Sequence, residues 1–288
     1  MIRLGLIGFP LEHSLSPVLH SAALQACGLQ GTYSLFPIKR EDTRGLNTLL
    51  NQVRTGELNG LNITIPHKQN IIRFLDELTP LARTVGAVNT IYLKDGNLIG
   101  DNTDALGFLN DLKNIYQESK ALEWKKAGGI DKFALILGAG GAARAVAYTL
   151  MNTGWTITVA ARRIEQAKDL ANSHLNVSQF DRFHITPILS TVHLIVNTIP
   201  LGMYPKINAS PWIEGLEFPK NAVLYDLIYN PPETFLVQQA RAAGLHAITG
   251  TGMFVEQAAL AFKLWTGYDI PRSIMFEAIK ISVSTHYS

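Results

Sequence analysis

The sequence FALILGAGGAARAVAYTLMNTG, residues 133–154, decides the fold class of this chain. Its first five residues are apolar and predict a buried strand, and a helical pattern then continues until Gly154. Between them, Gly138, Gly140 and Ala143 have the spacing G-x-G-x-x-[G/A] of a dinucleotide-binding turn. This spacing alone also fits a plain tight turn. The flanking strand and helix favour the dinucleotide site, because the helix N-terminus would then face a pyrophosphate.

The end of the next predicted strand indicates which dinucleotide binds. An NAD enzyme usually has an acid there, which holds the ribose hydroxyls. This chain has Ala160 and Ala161 followed by Arg162 and Arg163, and no acid occurs before Glu165. Two guanidinium groups suit the additional phosphate of NADP. The alternative is a pair of solvated arginines at a helix start, although cations in a first helical turn oppose the helix dipole.

Strands and helical patterns alternate along most of the chain, which is typical of an α/β protein. Short apolar strands with helices between them follow residue 132 and predict parallel βαβ units. The N-terminal part has its own strands and a hairpin signal, Lys-Asp-Gly, at residues 94–96. We therefore predict two α/β domains with a boundary near residues 104–130. The polar connection at 116–130 looks long, and we assign no function to it.

Composition excludes several classes of protein. The 288 residues are 47% hydrophobic and 17% charged, and the net charge of +2 without long basic runs argues against a nucleic-acid partner. The single cysteine, Cys27, excludes an internal disulfide and fits a reducing compartment. The first ten residues do not have the pattern of a signal or transit peptide. The most apolar window contains Arg144 and several glycines, so we expect a cytoplasmic protein without a membrane span.

Metal and hydrolase chemistry are not indicated. The eight histidines are scattered without H-E-x-x-H or paired Cys/His spacing, and no G-x-S-x-G is present. We expect His13, His20 and His67 to be surface or supporting polar groups, and we expect no metal. A bound hydride carrier is the remaining source of chemistry, and the protein must then supply a proton donor or acceptor.

The stretch GLNITIPHK, residues 60–68, contains the first candidate for that role. It begins as a strand, and the pattern after Pro66 predicts a helix with Lys68 in its first turn. A cation at that position opposes the helix dipole, and residues that break such rules tend to lie at functional sites. Asp104 in GDNTD is the second candidate. The alternatives are a solvated surface lysine and an acid that caps a helix or lies in its first turn.

At this point the sequence resembles the shikimate dehydrogenases, including the quinate/shikimate dehydrogenases. The resemblance covers nearly the whole chain. It rests on SLSP at 14–17, GLNITIPHK at 60–68, GAVNT at 86–90, GDNTD at 100–104, GAGGAARA at 138–145, NTIPLGM at 197–203 and GTGMFVEQAALAFKLW at 250–265. One departure is Ala161-Arg162-Arg163, where the family usually has Asn-Arg-Thr. This departure leaves the strength of the NADP preference open.

The resemblance implies the domain roles: residues 1–104 bind substrate, 105–250 form a Rossmann-like NADP domain, and 251–288 form helices that return to the first domain. It implies that Lys68 and Asp104 are the catalytic pair. The implied substrate-binding residues, with Ser16 also expected to cap a helix, are Ser14, Ser16, Asn62, Thr64, Asn89, Tyr229 and Gln257. The implied cofactor-binding residues are Gly138, Gly140, Gly141, Ala142, Ala143, Ala161, Arg162, Arg163, Thr198, Met203 and Gly250.

The expected reaction is reversible hydride transfer between NADPH and the carbonyl of 3-dehydroshikimate, with Lys68 giving or taking the hydroxyl proton. Two alternatives stay open. The first is a quinate/shikimate dehydrogenase that uses NAD or both cofactors. The second is a non-catalytic NADP-sensing module, which would not need both Lys68 and Asp104. We expect a small-molecule substrate as partner, no nucleic acid or membrane, and a monomer or homodimer.

Overall fold

The computed structural model describes residues 1–118, 132–168, 170 and 175–286. The connection predicted at 116–130 therefore lies largely outside the described residues. The chain divides into two compact units, Met1–Gly107 with Phe254–Ser288 and Phe108–Met253. The predicted α/β class with two domains is confirmed, and the C-terminal helices belong to the first unit. Within the described residues, no helix is both long enough and apolar enough to span a membrane.

The first unit contains a mixed sheet with helices packed against it. Its elements up to the start of the second unit are β1 (Ile2–Gly8), α1 (Ser16–Ala26), β2 (Gly31–Pro37), α2 (Thr43–Arg54), β3 (Gly60–Ile63), a 3₁₀ helix (Asn70–Phe74), β4 (Glu77–Leu78), α3 (Pro80–Val85), β5 (Thr90–Lys94), β6 (Asn97–Asp101) and α4 (Thr103–Glu118). The strand order is β2-β1-β3-β5-β6-β4. β1 is parallel to β2 and β3, whereas β5 is antiparallel to β3 and β6.

The hairpin between β5 and β6 forms where the sequence predicts it. Asp95 and Gly96 both have positive φ, +51° and +82°, as a two-residue turn of this kind requires. The four apolar residues of α2 that recur at helical spacing pack on the sheet against Leu61, Ile63 and Ile91. The hydrophobic pattern therefore specifies this core directly.

The second unit is a doubly wound sheet. Its elements, followed by the two C-terminal helices, are β7 (Lys132–Leu137), α5 (Gly141–Asn152), β8 (Trp155–Ala161), α6 (Glu165–Lys168), β9 (Leu175–Gln179), α7 (Arg182–Leu189), β10 (Leu194–Asn197), β11 (Val223–Asp226), α8 (Phe235–Ala242), β12 (His246–Ile248), α9 (Thr251–Thr266) and α10 (Arg272–His286). The strands lie in the order β12-β11-β10-β7-β8-β9, and all neighbouring strands are parallel. From β7 the chain first adds strands on one side, β8 and β9, and then on the other side, starting with β10. Dinucleotides bind at the carboxyl ends of the strands beside such a reversal.

Three local expectations are wrong. Lys68 lies in a turn that precedes the short 3₁₀ helix, so no α-helix begins at Pro66. The chain after Phe74 becomes extended because β4 pairs with β6, and this pairing competes with the helical pattern. Ser16 is the first residue of α1 rather than its cap, which is Leu15. Arg162 and Arg163 precede α6 and do not lie in its first turn.

Candidate active site

Four polar side chains meet in the first unit. Lys68 Nζ donates a 2.6 Å hydrogen bond to Asp104 Oδ2, and Asn89 Nδ2 donates a 2.9 Å bond to Asp104 Oδ1. Asn89 Nδ2 also lies 3.5 Å from Gln257 Oε1. The two oxygens of one carboxylate therefore bind different donors, an ammonium and an amide.

The fold brings these residues together from distant parts of the chain. The turn after β3 presents Lys68, and its carbonyl accepts a 2.8 Å hydrogen bond from the Val88 amide, next to Asn89. Gln257 comes from α9, which approaches α4 at Gly107. A Cβ atom at Gly107 would lie 2.8 Å from the Gln257 backbone nitrogen, so only glycine permits this approach.

The start of α4 fixes the position of Asp104. Asn102 accepts a 3.0 Å hydrogen bond from the Ala105 amide and thereby caps the helix. Its own amide nitrogen donates a 2.9 Å bond to the Ala87 carbonyl. Asp104 lies in the first turn of α4, where the helix dipole stabilises a negative charge. The role of Asp104 as an acid in the first turn of a helix is therefore compatible with the candidate catalytic role.

The Lys68–Asp104 pair is shielded but not sealed from solvent. The Lys68 side chain is 16% exposed and that of Asp104 is 6% exposed. Burial of this extent strengthens the attraction between the charges, while the hydrogen bond from Asn89 satisfies the second carboxylate oxygen. An ammonium group has three donors. One is directed at Asp104, so the arrangement can present a proton to an oxygen of a bound molecule.

Asn62 is engaged inside the protein. Its Oδ1 accepts a 2.8 Å hydrogen bond from the Tyr33 hydroxyl. Its Nδ2 donates to the Asn89 carbonyl at 3.1 Å and to Thr90 Oγ1 at 3.2 Å. Both amide protons are thus directed at protein groups, and one of them binds the backbone carbonyl of Asn89. Direct contact of Asn62 with substrate stays a prediction.

Ser14 and Ser16 lie together at the start of α1. Ser14 Oγ lies 3.3 Å from Ser16 Oγ and accepts a 3.3 Å hydrogen bond from the Ser16 amide. Two hydroxyls beside a helix N-terminus form a suitable site for a carboxylate. Thr64 follows β3 and is half-buried, and its methyl group lies over Gly8.

The second unit contains the candidate dinucleotide turn. Gly138 follows β7 with φ of +104°, and a Cβ there would lie 2.6 Å from Thr198 Oγ1. A Cβ at Gly140 would meet nothing within 4 Å, so the turn is open on that side. Ala143 is fully buried among core residues, as close packing of α5 on the sheet requires. The first amides of α5, those of Gly141, Ala142 and Ala143, have no acceptor within the helix.

The other candidate cofactor residues also lie at carboxyl ends of strands. Ala161 ends β8, and the side chains of Arg162 and Arg163 after it are exposed. Thr198 follows β10, and its hydroxyl donates a 2.7 Å hydrogen bond to the Leu137 carbonyl at the end of β7. Two guanidinium groups at the end of the strand after the glycine turn fit the additional phosphate of NADP.

Three candidate residues lie in loops of the second unit. Met203 and Tyr229 are half-buried and follow β10 and β11 respectively. Gly250 precedes α9, and its amide donates a 3.0 Å hydrogen bond to the Ile228 carbonyl. A Cβ at Gly250 would lie 2.1 Å from the Leu227 carbonyl oxygen, so the close approach of these segments requires glycine. Tyr229 belongs to the second unit, whereas the other candidate substrate residues lie in the first unit.

A buried polar network at the ends of β10 and β11 is absent from the sequence prediction. Asp226 accepts hydrogen bonds from Asn197 Nδ2 at 2.9 Å and from Thr234 Oγ1 at 2.6 Å. Burial raises the pKa of the Asp226 carboxyl to about 6, although these hydrogen bonds oppose the shift. The Asn197 side chain in turn accepts from the Ile199 amide at 3.0 Å. The network therefore joins the loops that follow two neighbouring strands.

Thr90, Thr103 and Tyr33 also belong to the polar cluster of the first unit without having been predicted. Thr103 donates its amide to Asn89 Oδ1 at 2.7 Å, which orients the Asn89 side chain. Thr90 and Thr103 adjoin candidate residues in the motifs GAVNT and GDNTD, which is the signal that identifies them in the sequence. No comparable signal accompanies Tyr33. Among the described residues, no group of three or more His, Cys, Asp or Glu side chains could hold a metal ion.

Comparisons with known proteins agree with these observations. Residues 6–91 match the shikimate dehydrogenase substrate binding domain, 122–199 the shikimate / quinate 5-dehydrogenase family, and 250–280 the shikimate 5'-dehydrogenase C-terminal domain. The shikimate dehydrogenase (NADP(+)) of Carboxydothermus hydrogenoformans is 40% identical over 282 residues, which are 96% of each chain.

Solved structures agree as well. A shikimate dehydrogenase in complex with NADP+ is 36% identical with a TM-score of 0.84, over 98% of this chain and 96% of that one. The shikimate 5-dehydrogenase of Thermus thermophilus, in complex with NADP(H) and shikimate, is 37% identical with a TM-score of 0.81, over 98% of this chain and 100% of that one. By this sequence identity over almost its full length, the chain belongs to the shikimate dehydrogenase family.

Proposed function

We propose that this chain catalyses the reversible NADP-dependent reduction of 3-dehydroshikimate to shikimate. The observation that carries the proposal is the shared carboxylate of Asp104, which holds the Lys68 ammonium on one oxygen and the Asn89 amide on the other. A non-catalytic sensing module has no need for a partly buried ammonium with free donors beside a carboxylate. The relatives of known activity named above support the same reaction.

Lys68 moves the proton in the proposed mechanism. Reduction of a carbonyl requires a hydride at carbon and a proton at oxygen. When bound, NADPH supplies the hydride. Lys68 hydrogen-bonds the carbonyl oxygen, draws electron density towards it and gives it the proton, and the reverse reaction returns the proton to Lys68. Asp104 keeps the ammonium in place during both directions.

The remaining polar groups orient the substrate ring. Asn89 and Gln257 supply amide groups beside Asp104, which suits the hydroxyls of a polyhydroxylated ring. Ser14 and Ser16 supply hydroxyl donors for its carboxylate, beside the positive end of α1. Thr64 and Tyr229 are proposed as further contacts. Fixed orientation of a substrate in this way makes a large contribution to rate, since it removes rotational freedom before the chemical step.

NADP is the proposed cofactor because the residues after β7 and β8 fit it. The turn at Gly138 and Gly140 with the amides of α5 suits the pyrophosphate, and Arg162 with Arg163 suits the adenosine phosphate. Thr198, Met203 and Gly250 are proposed for the nicotinamide side. We further propose residues 1–104, 105–250 and 251–288 as the functional divisions of the chain.

The cellular setting is proposed from composition. A single cysteine and the requirement for NADP fit the cytoplasm. A net charge of +2 gives no reason to expect a nucleic-acid partner. We propose a monomer or a homodimer, and light scattering of the purified protein distinguishes these two states.

The test is an absorbance assay for formation of the reduced nicotinamide, NADPH or NADH, with shikimate and with quinate, each with NADP and with NAD. We expect the highest kcat/KM for shikimate with NADP. Comparable kcat/KM for quinate would instead assign the chain to the quinate/shikimate dehydrogenases. Absence of turnover with all four pairs, together with measurable NADP binding, would support the sensing module.

A further inference from the structure

Tyr33 of β2 is connected to the candidate active site by a series of buried hydrogen bonds. Its hydroxyl donates to Asn62 Oδ1 at 2.8 Å, and Asn62 Nδ2 donates to Thr90 Oγ1 at 3.2 Å. Thr90 Oγ1 donates to Asn89 Oδ1 at 3.1 Å, and Asn89 Nδ2 donates to Asp104 Oδ1 at 2.9 Å. Every group in the series is at most 7% exposed. The series starts at a tyrosine and ends on the carboxylate that holds Lys68.

The donors of this series all point in one direction. A carboxylate only accepts hydrogen bonds, so Asn89 must direct its amide nitrogen towards Asp104. Asn89 Oδ1 then faces Thr90, and the Thr90 oxygen accepts from Asn62 Nδ2. Asn62 Oδ1 consequently needs a donor, and the Tyr33 hydroxyl is that donor. Hydrogen bonds aligned in this way polarise one another, which strengthens the last bond of the series.

His20 holds the Tyr33 ring in place. The two rings are stacked with centroids 4.3 Å apart and an angle of 4° between their planes. His20 is fully buried on α1 and also lies 5.4 Å from the Trp265 ring. His20 is four residues after Ser16, so both lie on the same face of α1. The stack therefore links the helix that carries the serines to the strand that carries Tyr33.

We propose that Tyr33 is a positioning residue for the Lys68–Asp104 pair. By donating to Asn62 Oδ1, it holds the Asn62 amide, which through Thr90 acts together with the Thr103 backbone amide on Asn89 Oδ1 and so helps to hold Asp104 Oδ1. Asp104 Oδ2 is then left in a fixed direction for Lys68. Tyr33 has no contact with substrate in this proposal, which rests on the function proposed above.

The first experiment replaces Tyr33 with phenylalanine, which removes the hydroxyl and keeps the ring stacked on His20. We expect kcat for shikimate oxidation to fall about 5- to 10-fold, because one buried hydrogen bond is lost and its energy is felt at the reacting group. The KM for NADP should stay within twofold of the wild-type value. The matched control is Tyr92→Phe, the same change in β5 of the same sheet, where the tyrosine is half-buried and outside the series. It should leave kcat unchanged.

The second experiment tests the route through Thr90. Thr90→Val removes a hydroxyl and conserves the shape of the side chain. If Tyr33 acts through this series, the Tyr33→Phe/Thr90→Val double variant should lose much less activity than the product of the two single losses. Melting temperatures of all variants are measured in parallel. If the role of Tyr33 is merely structural, its substitution should lower the melting temperature and leave kcat unchanged. The two substitutions should then show no coupling in kcat.

The results separate this inference from the proposed function. If the wild-type enzyme is active, an unchanged kcat in Tyr33→Phe would overturn the role of Tyr33 and leave the proposed function standing. Losses that multiply in the double variant would do the same. An inactive wild-type enzyme would overturn the proposed function and the role of Tyr33 with it. Tyr33→Phe that loses NADP affinity as strongly as kcat would also contradict the inference, because the series ends in the substrate-binding unit.

Discussion

Lys68 and Asp104 are 36 residues apart in the sequence, and they form a 2.6 Å hydrogen-bonded ion pair in the first unit. Each comes from a different type of segment, a turn after β3 and the first turn of α4. Because Asn89 binds the second oxygen of Asp104, the carboxylate has a defined orientation. Asp104 can therefore hold the Lys68 ammonium in a fixed position, from which it can contact an oxygen of a ligand.

Ser16→Ala should weaken shikimate binding about 5- to 10-fold, since one hydrogen bond to the substrate carboxylate is lost. Its effect on stability should be small, because Leu15 rather than Ser16 caps α1 and no side-chain capping bond is broken. Calorimetric titration with shikimate and thermal melting measure the two effects. Ser34→Ala, an exposed serine in β2, is the control. Unchanged binding with a lower melting temperature would show that the Ser16 hydroxyl is structural.

Arg162→Ala should raise the KM for NADP by about tenfold or more and change the KM for NAD little, because a charge-assisted bond to phosphate is removed. The contribution should weaken at high salt, as the side chain is exposed. Lys220→Ala is the control, since it removes one positive charge of the same unit before β11, at the opposite edge of the sheet. Equal increases in the KM for both cofactors would exclude a phosphate-specific role.

His20 should make the enzyme less stable in acid. Burial lowers the pKa of His20 from 6.5 to about 3, so the unfolded chain binds this proton and the folded chain does not. The folded state therefore loses stability as pH falls below 6.5, by about 2 kcal/mol between pH 7 and pH 5. In His20→Phe, which keeps an aromatic ring against Tyr33, this part of the pH dependence should disappear. Denaturant unfolding of both proteins at several pH values measures it, and identical pH dependence would contradict the assignment.

Asp226 should have the opposite effect. Its pKa is raised from 3.8 to about 6, so the folded chain binds a proton that the unfolded chain has released. This contribution is fully present below pH 4 and is lost as pH rises through 6. It amounts to about 1 to 2 kcal/mol between pH 5 and pH 7. Asp226→Asn should gain stability relative to the wild type at pH 7 and show no gain at pH 4. A constant difference at both pH values would contradict the shift.

The predicted ends of the strands correctly located the candidate cofactor residues that follow β7 and β8 in the sequence. The motif after β7 and the arginines after β8 lie at carboxyl ends of parallel strands, as alternation and the glycine spacing predict. Parallel strands direct these ends to one edge of a sheet, so local sequence is sufficient to group them. The hairpin at Asp95 and Gly96 is predicted equally well, because its turn depends on two residues alone.

The argument that a cation in a first helical turn marks a functional site failed at both places where we used it. Lys68 and Arg162 were expected in first helical turns, but neither residue lies in a helix. Pairing of β4 with β6 draws residues after Phe74 into the sheet, and this long-range competition is not visible in a local pattern. The contacts of Asn62 with Tyr33 and of Asp226 with Thr234 also depend on tertiary structure, so sequence spacing could not reveal them.

The central claim is that Lys68 and Asp104 act as one unit in reversible shikimate oxidation. Steady-state kcat of the wild type, Lys68→Ala, Asp104→Ala and the double variant tests it most directly. Melting temperatures and NADP affinity serve as folding controls. Arg54→Ala is the matched control, because it breaks an exposed ion pair with Asp76 in the same unit and should leave kcat unchanged.

General acid–base groups contribute about 100- to 10,000-fold to rate, so each single substitution should reduce kcat on that scale while NADP still binds. Groups that function together are strongly non-additive. The account therefore predicts a double variant little slower than the slower single variant. Two losses that multiply in the double variant, or a Lys68→Ala enzyme with wild-type kcat, would contradict it.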